Sequence, residues 1–159
     1  MLIRLICSIL LVAGALALSP SGAVKAGDDG IVKLKSAYDM PETLKRLKKD
    51  VADKGIVFFS EIDQSKLAAD AGVTLLPSTL LVFGNPPLGT LFITADPEAG
   101  LDWPVRLLVH QDADGQVWVA YTDFAWIARR HGITDREKEF KMASEVIASI
   151  TSTVLPDGH

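Results

Sequence analysis

Leu80-Leu81-Val82-Phe83-Gly84-Asn85-Pro86, followed by Leu101-Asp102-Trp103-Pro104-Val105-Arg106-Leu107-Leu108-Val109, decides the reading of this chain. Each stretch is a short, branched and apolar run of the kind that forms buried strands. The prolines at 86 and 87 remove backbone donors and fix the direction of the chain, so we read a turn from Gly84 to Gly89. Gly84 is expected to adopt backbone angles that a side chain would resist. The second run continues through Asp112-Ala113-Asp114-Gly115, a hairpin signal, into Gln116–Tyr121. Val105 to Val109 is apolar on both sheet faces apart from Arg106. A single layer of helices would leave one face partly uncovered, which predicts a homodimer packed across the sheet.

Working outward, Ile31-Val32-Lys33-Leu34-Lys35 alternates like a half-buried strand. Asp39-Met40-Pro41-Glu42 supplies a capping acid, an early proline and an acid in the first turn, and so opens a helix. Leu44, Leu47 and Val51 fall on one face of that helix, and Gly55 ends it. Ile56-Val57-Phe58-Phe59 reads as a buried strand, and Asp63 or Ser65 caps a short helix, Lys66 to Ala71, closed by Gly72. Leu88, Leu91, Phe92 and Ala95 have helical spacing. Asp123 caps a helix to about His131, and Thr134-Asp135-Arg136-Glu137 reads as a capping box for a final helix. Phe140, Ala143, Ile147 and Ile150 form the inner face of that helix.

This order of elements predicts an α/β two-layer sandwich, with a mixed sheet of about five strands and helices mainly on one face. The Phe-Gly-Asn-Pro turn, the Leu-Asp-Trp-Pro step and the Asp-Gly hairpin together resemble the domain-of-unknown-function 302 family, from about Ile31 to Ile133. Trp103 stands where that family usually has Leu. The resemblance implies the same fold and leaves function open. In the family an Asp such as Asp63 is often followed by His, whereas this chain has Gln64. Any metal or proton role of that His is therefore not implied here.

The amino end reads differently. Met1-Leu2-Ile3-Arg4 is a short positive start, and Leu5 to Leu18 is an almost unbroken apolar run ending in small residues. That is the pattern of a secretory signal peptide, too short for a comfortable membrane span. We place cleavage near Ala26, which makes residues 27–30 a disordered leader and 31–155 a single domain. Of 159 residues, 133 then remain, and loss of Arg4 and Lys25 takes the formal charge from -4 to -6. An acidic, exported domain is a poor match for nucleic acid or an anionic membrane, and no stable membrane insertion is expected after cleavage. The single cysteine, Cys7, leaves with the leader, so no thiolate chemistry or disulfide is expected.

Candidate ligand-binding residues are few. Asp63 lies where a strand meets a helix, a common place for ligand-facing groups, and its plain alternative is a helix cap. Asn85 offers an amide at the turn, or is simply a turn residue. Arg106, in an apolar strand, needs a carboxylate such as Asp102 or Asp63, or an anionic ligand. Tyr121, with Trp103, Trp118 and Trp126, is placed to line an apolar pocket or to pack in the core. His131, in Arg129-Arg130-His131-Gly132, suits a helix C-terminus or a ligand. His110 sits where relatives carry an aromatic residue. Asp112-Ala113-Asp114-Gly115 lacks the later ligands of a calcium loop, and no two histidines have metal spacing, so neither a metal nor a cofactor is expected.

Three functions are consistent with this set. The first is a secreted or periplasmic, non-catalytic domain that binds a small ligand or serves as an accessory, with a groove near Asp63, Asn85 and Arg106. The second is a hydrolase or metal-assisted enzyme using Asp63 with His131 or His110. The third is a structural dimer module.

Overall fold

A computed structural model describes residues 26–156, so the leader reading of residues 1–25 lies outside the described residues. The elements run β1 (Ile31–Lys35), α1 (Met40–Asp53), β2 (Val57–Asp63), α2 (Gln64–Asp70), β3 (Ser78–Gly84) and α3 (Pro86–Ala95). A 3₁₀ turn (Pro97–Leu101), β4 (Val105–Gln111), β5 (Val117–Thr122), α4 (Phe124–Arg130) and α5 (Glu137–Ser152) complete the chain. The strands form one five-stranded sheet in the order β1-β5-β4-β3-β2. The α/β sandwich is as expected, except that all four strand pairs are antiparallel rather than mixed in direction. β2, β3, β4 and β5 are consecutive neighbours, while the chain crosses through α1 from β1 at one edge to the co-directional β2 at the other.

Register sorts the side chains. Leu81 pairs with Leu107, Val109 with Val119, and Leu34 with Val119, so these share the face covered by helices and are fully buried or nearly so. Leu47 and Val51 of α1 and Phe140, Ala143, Ile147 and Ile150 of α5 close that core, as the helical spacing predicts. Phe92 of α3 stacks on Phe140, with ring centroids 4.2 Å apart. The opposite face carries Leu80, Val82, Leu108 and Ala120, half-buried, among Lys33, Arg106, His110 and Trp118. Lys33 lies over the Trp118 ring, 4.2 Å from its centroid, and the Trp118 indole donates to Asp112 at 2.7 Å.

Several expectations are corrected. Residues 27–30 form a turn rather than a disordered leader: Gly30 N–H donates to the Gly27 carbonyl, and the Gly30 carbonyl accepts from Asp123 N–H. That bond ties the turn to the start of α4, and Trp126 packs where a Gly30 side chain would project. Strand β2 is not buried, because it is the sheet edge and α2 does not cover it. Val57, Phe58, Phe59 and Ile62 of β2 stay exposed, as do Leu67 of α2 and Val73, Leu75 and Leu76 beyond it. A β-bulge interrupts β2 between Phe58 and Ser60. The turn expected at Gly84–Gly89 is instead a helix start, with Pro86 and Pro87 in the first turn, where their missing N–H groups cost nothing. The capping box at Thr134 does not form: the residue before α5 is Arg136, which makes no side-chain cap and pairs with Asp135 at 2.6 Å.

Candidate functional site

At the end of β3, Asn85 leaves the strand in extended conformation and its side-chain oxygen accepts from Leu88 N–H at 3.2 Å. This cap starts α3 directly over the sheet end. Gly84 does not have positive φ, contrary to expectation; its lack of a side chain is needed for contact instead. A Cβ there would lie 3.0 Å from Trp103 Nε1, and one at Gly89 would overlap the indole ring outright. Trp103, arriving from the loop before β4, thus lies against two bare backbone segments. Its ring also meets Phe59 edge-on at 6.1 Å.

Beside this contact opens a pocket of about 330 Å³. Phe83 and Val105 form its floor, Leu88 and Phe92 one wall, and Met142, Val146 and Ile150 of α5 the other. Trp103 and Ile56 stand on its rim, with Lys54 and Asn85 as the polar groups. Lys54 pairs with Asp50 at the end of α1, so its ammonium already has a carboxylate. Gly84 and Gly89 give their space to the Trp103 indole, and Ala143 adds little bulk on the α5 side of the pocket. A concave, largely apolar site with a few polar groups at its edge is the usual form of a small-molecule pocket, at the small end of the size range.

A second arrangement lies on the other side of the Trp103 loop. Asp102 is buried and accepts from Arg106 Nη2 at 3.3 Å, from Arg130 Nη1 at 3.1 and 3.2 Å, and from His131 Nε2 at 2.7 Å. His131 Nδ1 faces Asp96 at 3.6 Å. Arg106 also donates to the Leu101 carbonyl at 2.9 Å, and Arg130 lies over the Trp126 ring. One buried carboxylate therefore fastens β4 and the end of α4 to the loop that carries Trp103. Such a cluster holds geometry; it would be costly to break because any partner removed leaves a buried charge short of bonds.

The candidates chosen from sequence are thus divided among four places. Arg106 and His131 meet on Asp102, the ion pair that an arginine in an apolar strand required. Asn85 belongs to the rim of the apolar pocket. Tyr121 faces a separate cavity of about 250 Å³ between β1, β5 and α5, where burial and then the Asp123 charge raise the phenol above its usual pKa. Asp63 pairs with Thr79 at the far end of β3, about 20 Å along the strand from Asn85. It caps α2, accepting from Lys66 N–H at 2.8 Å and Ser65 Oγ at 2.7 Å, bonds that together lower its pKa, the Lys66 backbone bond most. The groove expected near Asp63, Asn85 and Arg106 is therefore not one site. Neither His131 nor His110 serves Asp63: His131 is held by Asp102 and Asp96, and His110 lies opposite Trp118 and Ser78. Of the tryptophans, Trp103 alone lines the larger pocket.

Sequence reasoning missed Gly89, Lys54 and the α5 residues Met142 and Val146. The visible signal was Trp103 itself, a larger residue where the related pattern has Leu, with two glycines nearby to receive it.

The family model for "Domain of unknown function DUF302" matches residues 32–153. The chain belongs to the DUF302 family. A crystal structure of an uncharacterized conserved DUF302 protein from Bacillus stearothermophilus superposes with a TM-score of 0.72 at 14% identity, covering 79% of this chain and 98% of that one. At that identity the likeness concerns the fold. Among curated proteins, the fluoride-specific ion channel FluC 1 of Brucella suis is 36% identical over 106 residues, 67% of this chain and 42% of its own. The FluC 2 of Brucella melitensis matches at 36% over 106 residues as well, 39% of its length. The chain thus spans about two fifths of these relatives.

Proposed function

We propose that this DUF302 domain is a non-catalytic binding module, exported to the periplasm or beyond, whose site is the apolar pocket beneath Trp103. The carrying observation is the pocket's lining: side chains from β3, β4, α3 and α5 surround about 330 Å³, with Lys54 and Asn85 the charged and amide side chains among otherwise apolar and aromatic ones. A compact apolar molecule bearing one polar group is the matching ligand class, its body among Phe83, Phe92 and Val146 and its polar end toward Asn85 and Lys54. His131 and Asp63, which a hydrolase would bring within hydrogen-bond reach of each other, are each held by other partners, and His110 lies on the sheet face opposite Asp63, so the geometry favours binding over catalysis.

That similar domains occur in longer chains named fluoride-specific ion channels supports an accessory role beside a membrane protein. Fluoride itself is a poor ligand for this pocket, since a small, strongly hydrated anion needs donors in place of water and the lining offers few. Among the described residues no helix is long and apolar enough to cross a membrane. Export rests on the charge and apolar pattern of residues 1–26, and intact mass of the protein recovered from the periplasm should show their loss.

The pocket is tested by native mass spectrometry of small molecules that copurify, and by titration with an anilinonaphthalene sulfonate dye. Val146→Phe fills the space from a half-buried position on α5. It should abolish dye binding and any copurifying mass while the thermal transition persists; undiminished binding in that variant rejects the site.

A further inference from the structure

The polar side chains of the pocket beneath Trp103 are one-sided: they are poised to donate hydrogen bonds, not to accept them. Lys54 is the one ionisable residue of the lining, which includes no carboxylate and no histidine. The Asn85 amide is oriented by its cap. Leu88 N–H can only donate, so the atom it meets at 3.2 Å is Oδ1, and Nδ2 is left with its N–H groups and no acceptor among the described residues. Trp103 Nε1 has none there either, whereas the Trp118 indole donates to Asp112. Among the described residues no fully buried side-chain nitrogen or oxygen lacks a partner, so the half-buried Trp103 keeps its N–H in open space. We propose, on the reading that this pocket binds small molecules, that its occupant is a compact apolar carboxylate whose anion is held at the mouth by Asn85, Trp103 and Lys54.

The three donors converge on Gly84. Asn85 follows it directly, Trp103 Nε1 lies 3.0 Å from where its Cβ would be, and its register partner on β2 is Val57, close in the chain to Lys54. Lys54 pairs with Asp50, which occupies one of the three ammonium donors and is not part of the lining. A ligand amine would enter a site with no anion to meet it and with the Asn85 oxygen already engaged. A carboxylate instead receives charge-assisted bonds, roughly twice as strong as neutral ones, and at the mouth it keeps part of its hydration. The apolar body lies inward, among Phe83, Phe92 and Val146.

Isothermal titration of the full chain with phenylpropionate, phenylpropanol and phenylpropylamine varies the head and keeps the body. The carboxylate should bind about tenfold or more tighter than the amine, with the alcohol between them. Asn85→Asp exchanges the amide donor for a second oxygen and keeps the acceptor that caps α3, since Asp caps as well as Asn. It should cost the carboxylate about tenfold or more and the amine nothing. Lys54→Met keeps the aliphatic stem, removes the ammonium and should also weaken the carboxylate. Val146→Phe should abolish binding of all three. The two ways to fail are distinct. Amine binding as tight as the carboxylate, or carboxylate affinity unmoved by Asn85→Asp, overturns the carboxylate, and the pocket stands if Val146→Phe still excludes every compound. No binding by any of the three at millimolar concentration, or binding that Val146→Phe leaves undiminished, overturns the pocket and the carboxylate together.

Discussion

The chain makes the same local move twice, with opposite results. At Asp63 a strand ends, an acidic side chain caps a helix and α2 follows; at Asn85 a strand ends, an amide caps a helix and α3 follows. The cap bonds are alike, 2.8 Å to Lys66 N–H and 3.2 Å to Leu88 N–H. Yet α2 buries none of its residues, whereas α3 buries Gly89 and Phe92, stacks on α5 and walls the pocket. A cap tells the backbone where to turn. Whether the helix becomes part of the core depends on what comes back to meet it, and only α3 has a returning loop and α5 to pack on.

The largest contrast should appear on truncating one apolar residue from each helix. Phe92→Ala removes a stacked core ring and should cost about 3–5 kcal/mol in urea unfolding. Leu67→Ala, measured at concentrations low enough for monomer, should change stability by no more than about 0.5 kcal/mol. Equal losses would mean that α2 is integral to the folded monomer.

A smaller effect tests the close approach. Gly89→Ala drives a methyl group into the Trp103 ring and should cost about 1–3 kcal/mol, as overpacking does. The cost should shrink when Trp103→Leu is present as well, restoring the residue usual in the related pattern. A cost independent of residue 103 would trace the effect to the backbone of α3.

The caps themselves differ least. Asn85→Ala should cost about 1 kcal/mol at any pH. Asp63→Asn should instead have a pH-dependent effect. The Asp63 pKa is lowered in the folded state by the Lys66 N–H and then Ser65 Oγ, so its contribution is present above the unfolded carboxylate pKa and is lost as pH falls through the lowered, folded value. The stability gap between wild type and Asp63→Asn should therefore close in acid, while that of Asn85→Ala stays constant. Urea midpoints across the acid range measure both.

Much of the scaffold was legible because its signals are local. Asp39, Asp63 and Asp123 each cap the helix expected of them. Gly55, Gly72 and Gly132 end helices at φ of 65°, 72° and 61°, where a side chain would be strained. The failures share a cause. Ile56–Phe59 is as apolar as any central strand, but apolarity cannot say that a strand will be the edge, because sheet order is set by pairings distant in sequence. Thr134–Glu137 has the spacing of a capping box, yet α5 starts at Glu137, so Arg136 and not Thr134 holds the capping position. Gly84 needed no special angle; it needed an absent side chain, and that requirement came from Trp103 far along the chain.

By itself, then, the sequence determined the elements, the caps at Asp39, Asp63 and Asp123 and the family, since hydrogen bonding within a few residues and the period of apolar positions act without knowledge of the rest. The tertiary structure alone decided which polar residues meet. Arg106, His131 and Asp102 converge only because β4, α4 and the Trp103 loop are brought side by side, and Asp63 is parted from Asn85 by the length of a strand. It also decided where space remains, because a pocket is what several packed elements together fail to fill.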